Sequence, residues 1–559
     1  MALAVVIGLV VGLGAIAFRW LITTLTYAFT GHEDYAGLGR VGNPHVPWLG
    51  PWFVLVAPVI AGLIYGPLVY RFAREARGHG VPEVMFAVAR RGGRIPGRVA
   101  TVKALASALC ISGGGSVGRE GPIVQIGSSL GSSVGRMVGA SEGRLRILVA
   151  AGAASGIAAT FNAPLAGVFF AMELILLDFA AGAFGVVVIA SVTASIVGRA
   201  AFGDVPFLRL PEFTVQHWGE YALFALLGIL AGAIGVAFSR ILYFVEDVCD
   251  AVWRGPEWLR PAVGGLLLGG LLLALPEMYG VGYPVLEDAI GGRYVWTFLL
   301  VLLVGKMLAT SLTIGIGGSG GVFAPSLFIG AAFGAAFGAF ADALIPTASP
   351  VGAYGLIGMG AVFAGAARAP ITAVVIMFEL TNEYSIILPL MAAIVLATVT
   401  SRALSADTIY TRKLLRRGVD IMAPAPGPLE AAKVADLMVD LPVPIRASAS
   451  LEHAAAELAV SADGVLPVLD DDGDFIGTVS ARSVAQALVD DVDVPLADLV
   501  QLPPRIVPSH SVSKAVAALT EITGAALPVV ADDGERLVGW LSYTHVFGHL
   551  RPGPTGTRR

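Results

Sequence analysis

Eleven apolar runs follow one another through the first 404 residues, near 2–29, 48–70, 99–112, 144–177, 180–202, 219–245, 260–275, 295–314, 322–345, 351–379 and 384–404. A helix needs about 20 predominantly apolar residues to cross a bilayer, and most of the runs reach that length. The run at 99–112 falls short and ends in Ser112-Gly113-Gly114-Gly115. The run at 295–314 ends in Gly315-Ile-Gly-Gly-Ser-Gly-Gly321. Irregular backbone survives at membrane depth only where protein buries it or it lines a cavity, and broken helices in two matching halves mark transport sites. The apolar stretch from Met1 to Phe18 has no basic segment before it and no cleavage site after it. It predicts a membrane helix over 2–29 and not a signal peptide.

The pattern repeats. Ala163-Pro-Leu-Ala-Gly167 aligns with Ala369-Pro-Ile-Thr-Ala373, and the offset of 206 carries without a gap to Glu173-Leu174 and Glu379-Leu380. Upstream, Gly118-Arg-Glu-Gly-Pro122 matches Gly321-Val-Phe-Ala-Pro325 at an offset of 203. The membrane body, 1–415, is therefore a tandem duplication with halves near 1–200 and 215–415, joined by the polar stretch 203–217. An odd number of spans in each half, as the runs suggest, makes the repeat inverted.

After a linker at 416–433 the pattern changes to short alternation. Leu466-Pro-Val-Leu-Asp-Asp-Asp-Gly473 is echoed by Leu527-Pro-Val-Val-Ala-Asp-Asp-Gly534, and the strands that follow close on Ser480 and Ser542. An amphipathic helix precedes each, at 450–460 and 511–522. Helix, strand, Asp-Gly turn, strand and helix, twice over, predict a paired α/β module at 434–490 and 496–550.

Composition agrees with this division. Apolar residues make up 56% of the 559 and charged ones 14%, which excludes a soluble globular chain and a disordered one. Residues 421–559 hold 18 acids and nine bases, leaving 23 and 27 in residues 1–420, so the tail is acidic. The body's bases cluster at membrane edges, which does not suggest a nucleic-acid partner. Arg71, Arg74, Arg77, Arg90, Arg91, Arg94, Arg98 and Lys103 face two acids, Glu75 and Glu83, and Arg402, Arg412, Lys413, Arg416 and Arg417 close the body. Basic edges orient toward the cytoplasm, and the tail with them. Cys110 and Cys249 offer neither a disulfide framework nor metal-ligand spacing, and no metal is expected.

The chemistry lies in the breaks. Ser112-Gly-Gly-Gly-Ser-Val-Gly-Arg-Glu-Gly-Pro122 ends in a proline able to open a helix. The start of a helix offers unpaired N–H groups and a partial positive charge, which favour an anion. Ser319-Gly-Gly-Val-Phe-Ala-Pro325 and Gly78-His-Gly-Val-Pro82 do the same. Three such starts meeting in the membrane make an anion site without a full charge, and weak binding of that kind suits conduction. Glu120 is a carboxylate inside a membrane-embedded glycine loop, an expensive placement. Charged, it can occupy an anion position; protonated, it can swing away. The plainer alternative is an ion pair with Arg119 at the membrane edge.

Gly118, Arg119, Glu120, Gly121 and Pro122, together with Gly320, Gly321, Val322, Phe323, Ala324, Pro325 and Phe161-Asn-Ala-Pro-Leu-Ala-Gly167, resemble the CLC family of chloride channels and proton-coupled chloride transporters in order and spacing. The resemblance implies an inverted-repeat body of broken helices and a homodimer in the lipid bilayer with one pore per subunit. It places Glu120 at the gating glutamate. It puts the central anion on the backbone N–H groups of Val322 and Phe323, on the loop of His79 and Gly80, and on the hydroxyl of Tyr410. The tail resembles a pair of CBS domains. Such pairs bind adenine nucleotides through a Ser/Thr and a following Asp. Ser480 and Ser542 keep the serines while the aspartate is missing, so no cofactor is assigned, and an adenine nucleotide is the ligand the resemblance implies there.

Three departures from the family pattern shape the reading. His79 stands where many members have serine, which bears on anion preference. Leu174 stands where proton-coupled members have an inner glutamate, and Glu173 beside it points about 100° away on a helix. The chain also begins at a run that family members usually precede with another helix, so its start is either shorter or truncated. The expected function is transport of chloride or a similar small anion as a gated channel or an H+/Cl− antiporter, with protons as possible co-substrate, in a bacterial inner membrane. A fluoride or other-halide transporter is the alternative. An intramembrane enzyme would need a second positioned group near Glu120, and no His-Glu, Asp-Asp or Ser-Lys constellation lies near it in sequence. A sensor built on the CBS pair would not need duplicated broken helices.

Overall fold

A computed structural model describes the chain except residues 204–218, 345–348, 382–383, 422–427, 491–493, 523, 533–535 and 551–559. Most of the 203–217 connection, part of the 416–433 linker and the second Asp-Gly turn lie outside the described residues. The chain divides into two units, Met1–Ile421 and Met422–Arg559.

Unit one is helical, and its two halves match element by element. The first half runs α1 (Ala2–Thr30), α2 (Phe53–Phe72), α3 (Val81–Arg90), α4 (Arg98–Ser112), α5 (Glu120–Met137), α6 (Glu142–Phe161), α7 (Pro164–Phe170) and α8 (Ala181–Phe202). The second runs α9 (Glu220–Val252), α10 (Arg260–Ala274), α11 (Tyr283–Ile290), α12 (Trp296–Gly315), α13 (Phe323–Leu344), α14 (Val351–Ala367), α15 (Pro370–Thr381) and α16 (Ile387–Leu404). A short α17 (Thr411–Leu415) follows. Among the described residues, eight helices are long and apolar enough to cross a membrane.

One sequence expectation is corrected. The runs at 144–177 and 351–379 are not single helices: each breaks at a residue in the left-handed region, Asn162 (φ 56°) and Arg368 (φ 55°), followed by Ala-Pro. Asparagine tolerates that conformation. Arg368 is held there by its guanidinium, which donates to the carbonyls of Ser401, Ser405 and Ala406. Each half holds eight of these helices among the described residues, several of them too short to cross a membrane. The inversion of the repeat shows in pairing. Gly118 and Gly321, equivalent at the offset of 203, form an antiparallel bridge, each N–H donating to the other's carbonyl at 2.8 and 2.6 Å. A reciprocal pair of this kind places a local two-fold axis between the halves.

Close helix packing follows from small residues. A Cβ at Gly127 of α5 would lie 2.2 Å from the Gly152 carbonyl of α6, and one at Gly330 of α13 would lie 2.4 Å from the Gly358 carbonyl of α14. The same contact is thus made in both halves.

Unit two carries the repeated α/β pattern. Strand β1 (Ile445–Arg446) lies parallel to β2 (Val465–Leu469), which pairs antiparallel with β3 (Phe475–Ser480). Strand β4 (Ala526–Val530) pairs antiparallel with β5 (Leu537–Ser542). Helices Leu451–Val460 and Val512–Thr520 precede the hairpins. Bridges Thr478–Gln501 and Val439–Trp540 are equivalent in the two repeats.

Candidate functional site

Three helix starts meet inside unit one. Gly78 bridges Ser319 beside the Gly118–Gly321 pair, so the loops before α3, α5 and α13 share backbone hydrogen bonds. The fit is tight enough to require glycine. A Cβ on Gly121 would stand 2.2 Å from the His79 carbonyl and 2.9 Å from the Gly321 Cα. Gly80 takes φ +79°, a conformation that turns the chain into α3 and disfavours other residues. Pro82 and Pro122 stand within the first turns they open, and Pro325 does the same in α13. The first N–H groups of these helices have no partner inside their own helix.

Glu120 stands at this junction and is 3% exposed. One carboxylate oxygen accepts from the Ala324 N–H at the start of α13, at 3.4 Å. The other accepts from the Tyr283 hydroxyl at 2.5 Å. The Arg119 guanidinium lies over the rings of Phe161 and Tyr283, 5.5 and 5.3 Å from their centroids. The glutamate is therefore inside the protein and on the helix start.

His79 and Tyr410 are in ring contact, while Gly80 opens α3 and Val322 and Phe323 stand at the start of α13. All are buried, His79 completely. Its ring sits 6.3 Å from those of Tyr243 and Tyr410. The Tyr243 hydroxyl is 3.4 Å from His79 Nε2 and donates to the Ile409 carbonyl at 2.7 Å. His79 Nδ1 is buried with no hydrogen-bond partner among the described residues. An unpartnered buried nitrogen costs free energy unless something bonds to it, and an imidazole N–H suits an anion.

Two buried lysines, equivalent at the offset of 203, tie the loops down. Lys103 Nζ donates to the carbonyls of Ala76 and Gly78, at 2.9 and 2.7 Å, holding the loop before α3. Lys306 Nζ donates to Ser116 Oγ at 2.9 Å, Gly280 O at 3.2 Å and Val281 O at 2.9 Å. It binds the loop before α5 to a fourth helix start, that of α11. Sequence reasoning missed this start, and a signal for it exists: Gly280-Val-Gly-Tyr-Pro284 repeats Gly78-His-Gly-Val-Pro82 at an offset of 202, with positive φ at Gly280 and Gly282 as at Gly78 and Gly80.

Glu173 and Glu379 perform a reciprocal task. Glu173 accepts from the N–H groups of Ile371 and Thr372 and from the Thr372 hydroxyl at the start of α15. Glu379 accepts from the N–H groups of Leu165 and Ala166 at the start of α7. Each half thus caps a helix of the other. Leu174 is buried, 5% exposed, in the π-helical turn after α7.

In unit two, Ser480 caps the helix Ala481–Val489 through the Ser483 N–H. It also lines a cavity of about 420 Å3 together with Gln501, Pro503, Glu521 and Gly524. Ser542 is fully buried and bonded to Thr544 and His545. Both serines therefore have structural partners.

Known proteins match both units. The model for the voltage gated chloride channel family covers residues 61–402, and that for the CBS domain covers 434–490 and 496–551. A ClcB-like chloride channel protein of Ralstonia nicotianae is 34% identical over 76% of this chain and 98% of its own length. The H(+)/Cl(−) exchange transporter ClcA of Vibrio parahaemolyticus is 37% identical over 67% of this chain and 82% of its own. The crystal structure of a slow cyanobacterial Cl−/H+ antiporter superimposes with a TM-score of 0.65 at 27% identity, covering 75% of this chain and 97% of that one.

Proposed function

This chain belongs to the CLC family of voltage gated chloride channels and transporters, and we propose that it carries chloride or a similar small anion across the membrane past the junction of α3, α5 and α13, with Glu120 as the gate. The observation that carries this reading is the Glu120 carboxylate bonded to the first turn of α13. A carboxylate resting on a helix start occupies a place that favours an anion, so it blocks the path while charged and frees it when protonated. Val322 and Phe323 supply backbone N–H groups to the central anion, and Tyr410 and His79 supply side-chain donors. Partial charges bind the ion without trapping it.

Passive flow is favoured by the inner side of the fold. Leu174 carries no proton, and Glu173 is committed to α15. Proton-coupled exchange is the second reading, supported by the exchanger relatives. The body acts as a homodimer in a bacterial inner membrane with the CBS pair in the cytoplasm as regulator. The cavity beside Ser480 is its candidate adenine-nucleotide site. The deciding experiment is anion efflux from liposomes holding the purified protein, with external pH recorded simultaneously. Chloride efflux without proton movement supports the gated channel; uphill proton movement supports exchange. Absence of chloride efflux overturns both, and fluoride efflux in its place assigns the selectivity to another halide.

A further inference from the structure

The fourth helix start differs in chemistry from its counterpart in the first half. The first residue of α3 is Val81, and its equivalent at the start of α11 is Tyr283. The valine has no donor. The tyrosine places its hydroxyl 2.5 Å from a Glu120 oxygen. We propose that Tyr283 is a positioning residue for the gate, a hydroxyl latch that holds the Glu120 carboxylate on the start of α13. The proposal rests on the reading of Glu120 as gate and adds the group that sets how readily it releases.

Three observations make the contact a built one. Gly282, at φ +88°, turns the chain so that Tyr283 opens α11, with Pro284 next to it. Lys306 binds the Tyr283 loop and the Glu120 loop at once, through Val281 O and Ser116 Oγ, so their separation is fixed by one buried side chain. The Arg119 guanidinium covers the tyrosine ring. Other titratable groups lie within electrostatic reach of the same carboxylate: Arg119 beside it, Lys306 on α12, and the Tyr410 phenol ahead of α17. Arg19 on α1 and Asp34 after it act on Arg119. The sides formed by α6, α13 and α14 are apolar there, with Phe161, Phe323 and Phe363 in ring contact.

A donor on a carboxylate favours its charged form, so the latch favours the closed gate. Losing the donor makes Glu120 easier to protonate, and the flux then opens at higher pH. The experiment is chloride efflux from liposomes as a function of pH for the wild type, Tyr283→Phe, Glu120→Ala and the double variant. Tyr283→Phe is expected to move the pH of half-maximal flux upward by about one unit, the size of one hydrogen bond to a charged group. The double variant is expected to match Glu120→Ala, which has lost the pH dependence. A merely structural tyrosine would lower flux at every pH without moving the midpoint. Site-specific 3-fluorotyrosine at position 283, a stronger donor of nearly the same shape, is expected to move the midpoint downward, and it tests the latch should the phenylalanine variant fold poorly. An unmoved midpoint in both replacements overturns the latch, as does the same change in the Glu120→Ala background. If Glu120→Ala alone keeps the wild-type pH profile, the gate reading fails and the latch with it, and that arm contains no change at Tyr283.

Discussion

Glu173 holds the first turn of α15 through two backbone N–H groups and the Thr372 hydroxyl, and this leaves it no freedom to serve as the missing inner acid. Its match with Glu379 was legible in the chain as a repeated Glu-Leu pair. The helix that each one caps was not, because the contacts join residues about 200 positions apart. Glu173→Ala is expected to cost about 1–2 kcal/mol, the value of a helix cap, and to lower the unfolding temperature of the purified protein by a few degrees. His79 illustrates the opposite case. Its departure from the family's serine was visible in sequence, while its complete burial between Tyr243 and Tyr410 was not. Nδ1 has no hydrogen-bond partner among the described residues, which leaves it available to the anion path proposed above. His79→Ser is expected to keep transport and to change the chloride-to-nitrate flux ratio by roughly tenfold, the size of one hydrogen bond. Anion-substitution efflux assays measure it, and an unchanged ratio would remove His79 from the anion path.

At the scale of elements, the helices end where short polar and glycine motifs stop them. Gly80, Asn162 and Arg368 all take positive φ at such breaks. These stops are local, so the sequence shows several of them: the three Gly-rich starts and the short run of α4. It merged α6 with α7 and α14 with α15 because both members are apolar and the break occupies two or three residues. Convergence of the starts depends on distances that a Cβ would violate. Gly121→Ala would place a methyl group 2.2 Å from the His79 carbonyl, and both sides of the clash are backbone. The start of α5 must then move, at a cost of about 2 kcal/mol or more. The expected result is loss of anion flux in liposomes together with a lower unfolding temperature; normal flux would show that the junction has slack.

The whole molecule consists of two units with separate cores. The large apolar cluster of the body lies within residues 4–421, and the tail has its own clusters around Val434, Leu466 and Leu527. Within the tail, Trp540 of β5 is 2% exposed and donates to Asp463 of the other repeat. Trp540→Ala is expected to cost the tail about 3–5 kcal/mol. Limited proteolysis of the full-length variant is then expected to cut between 430 and 550 while the body stays protected. Equal protection of both units would mean that the tail does not stand on its own core.

The chain by itself determined the membrane body, its duplication, the tail repeat and the anion-favouring helix starts, because periodicity, repeated motifs and turn residues act over a few positions. Only the tertiary structure decided which starts meet. The Tyr283 hydroxyl reaches Glu120 across 163 residues, and Ser319 reaches the Ala76 carbonyl across 243. Such contacts follow from two inverted halves closing on each other around buried lysines. No local pattern records that closure, since it is set by the packing of surfaces distant along the chain.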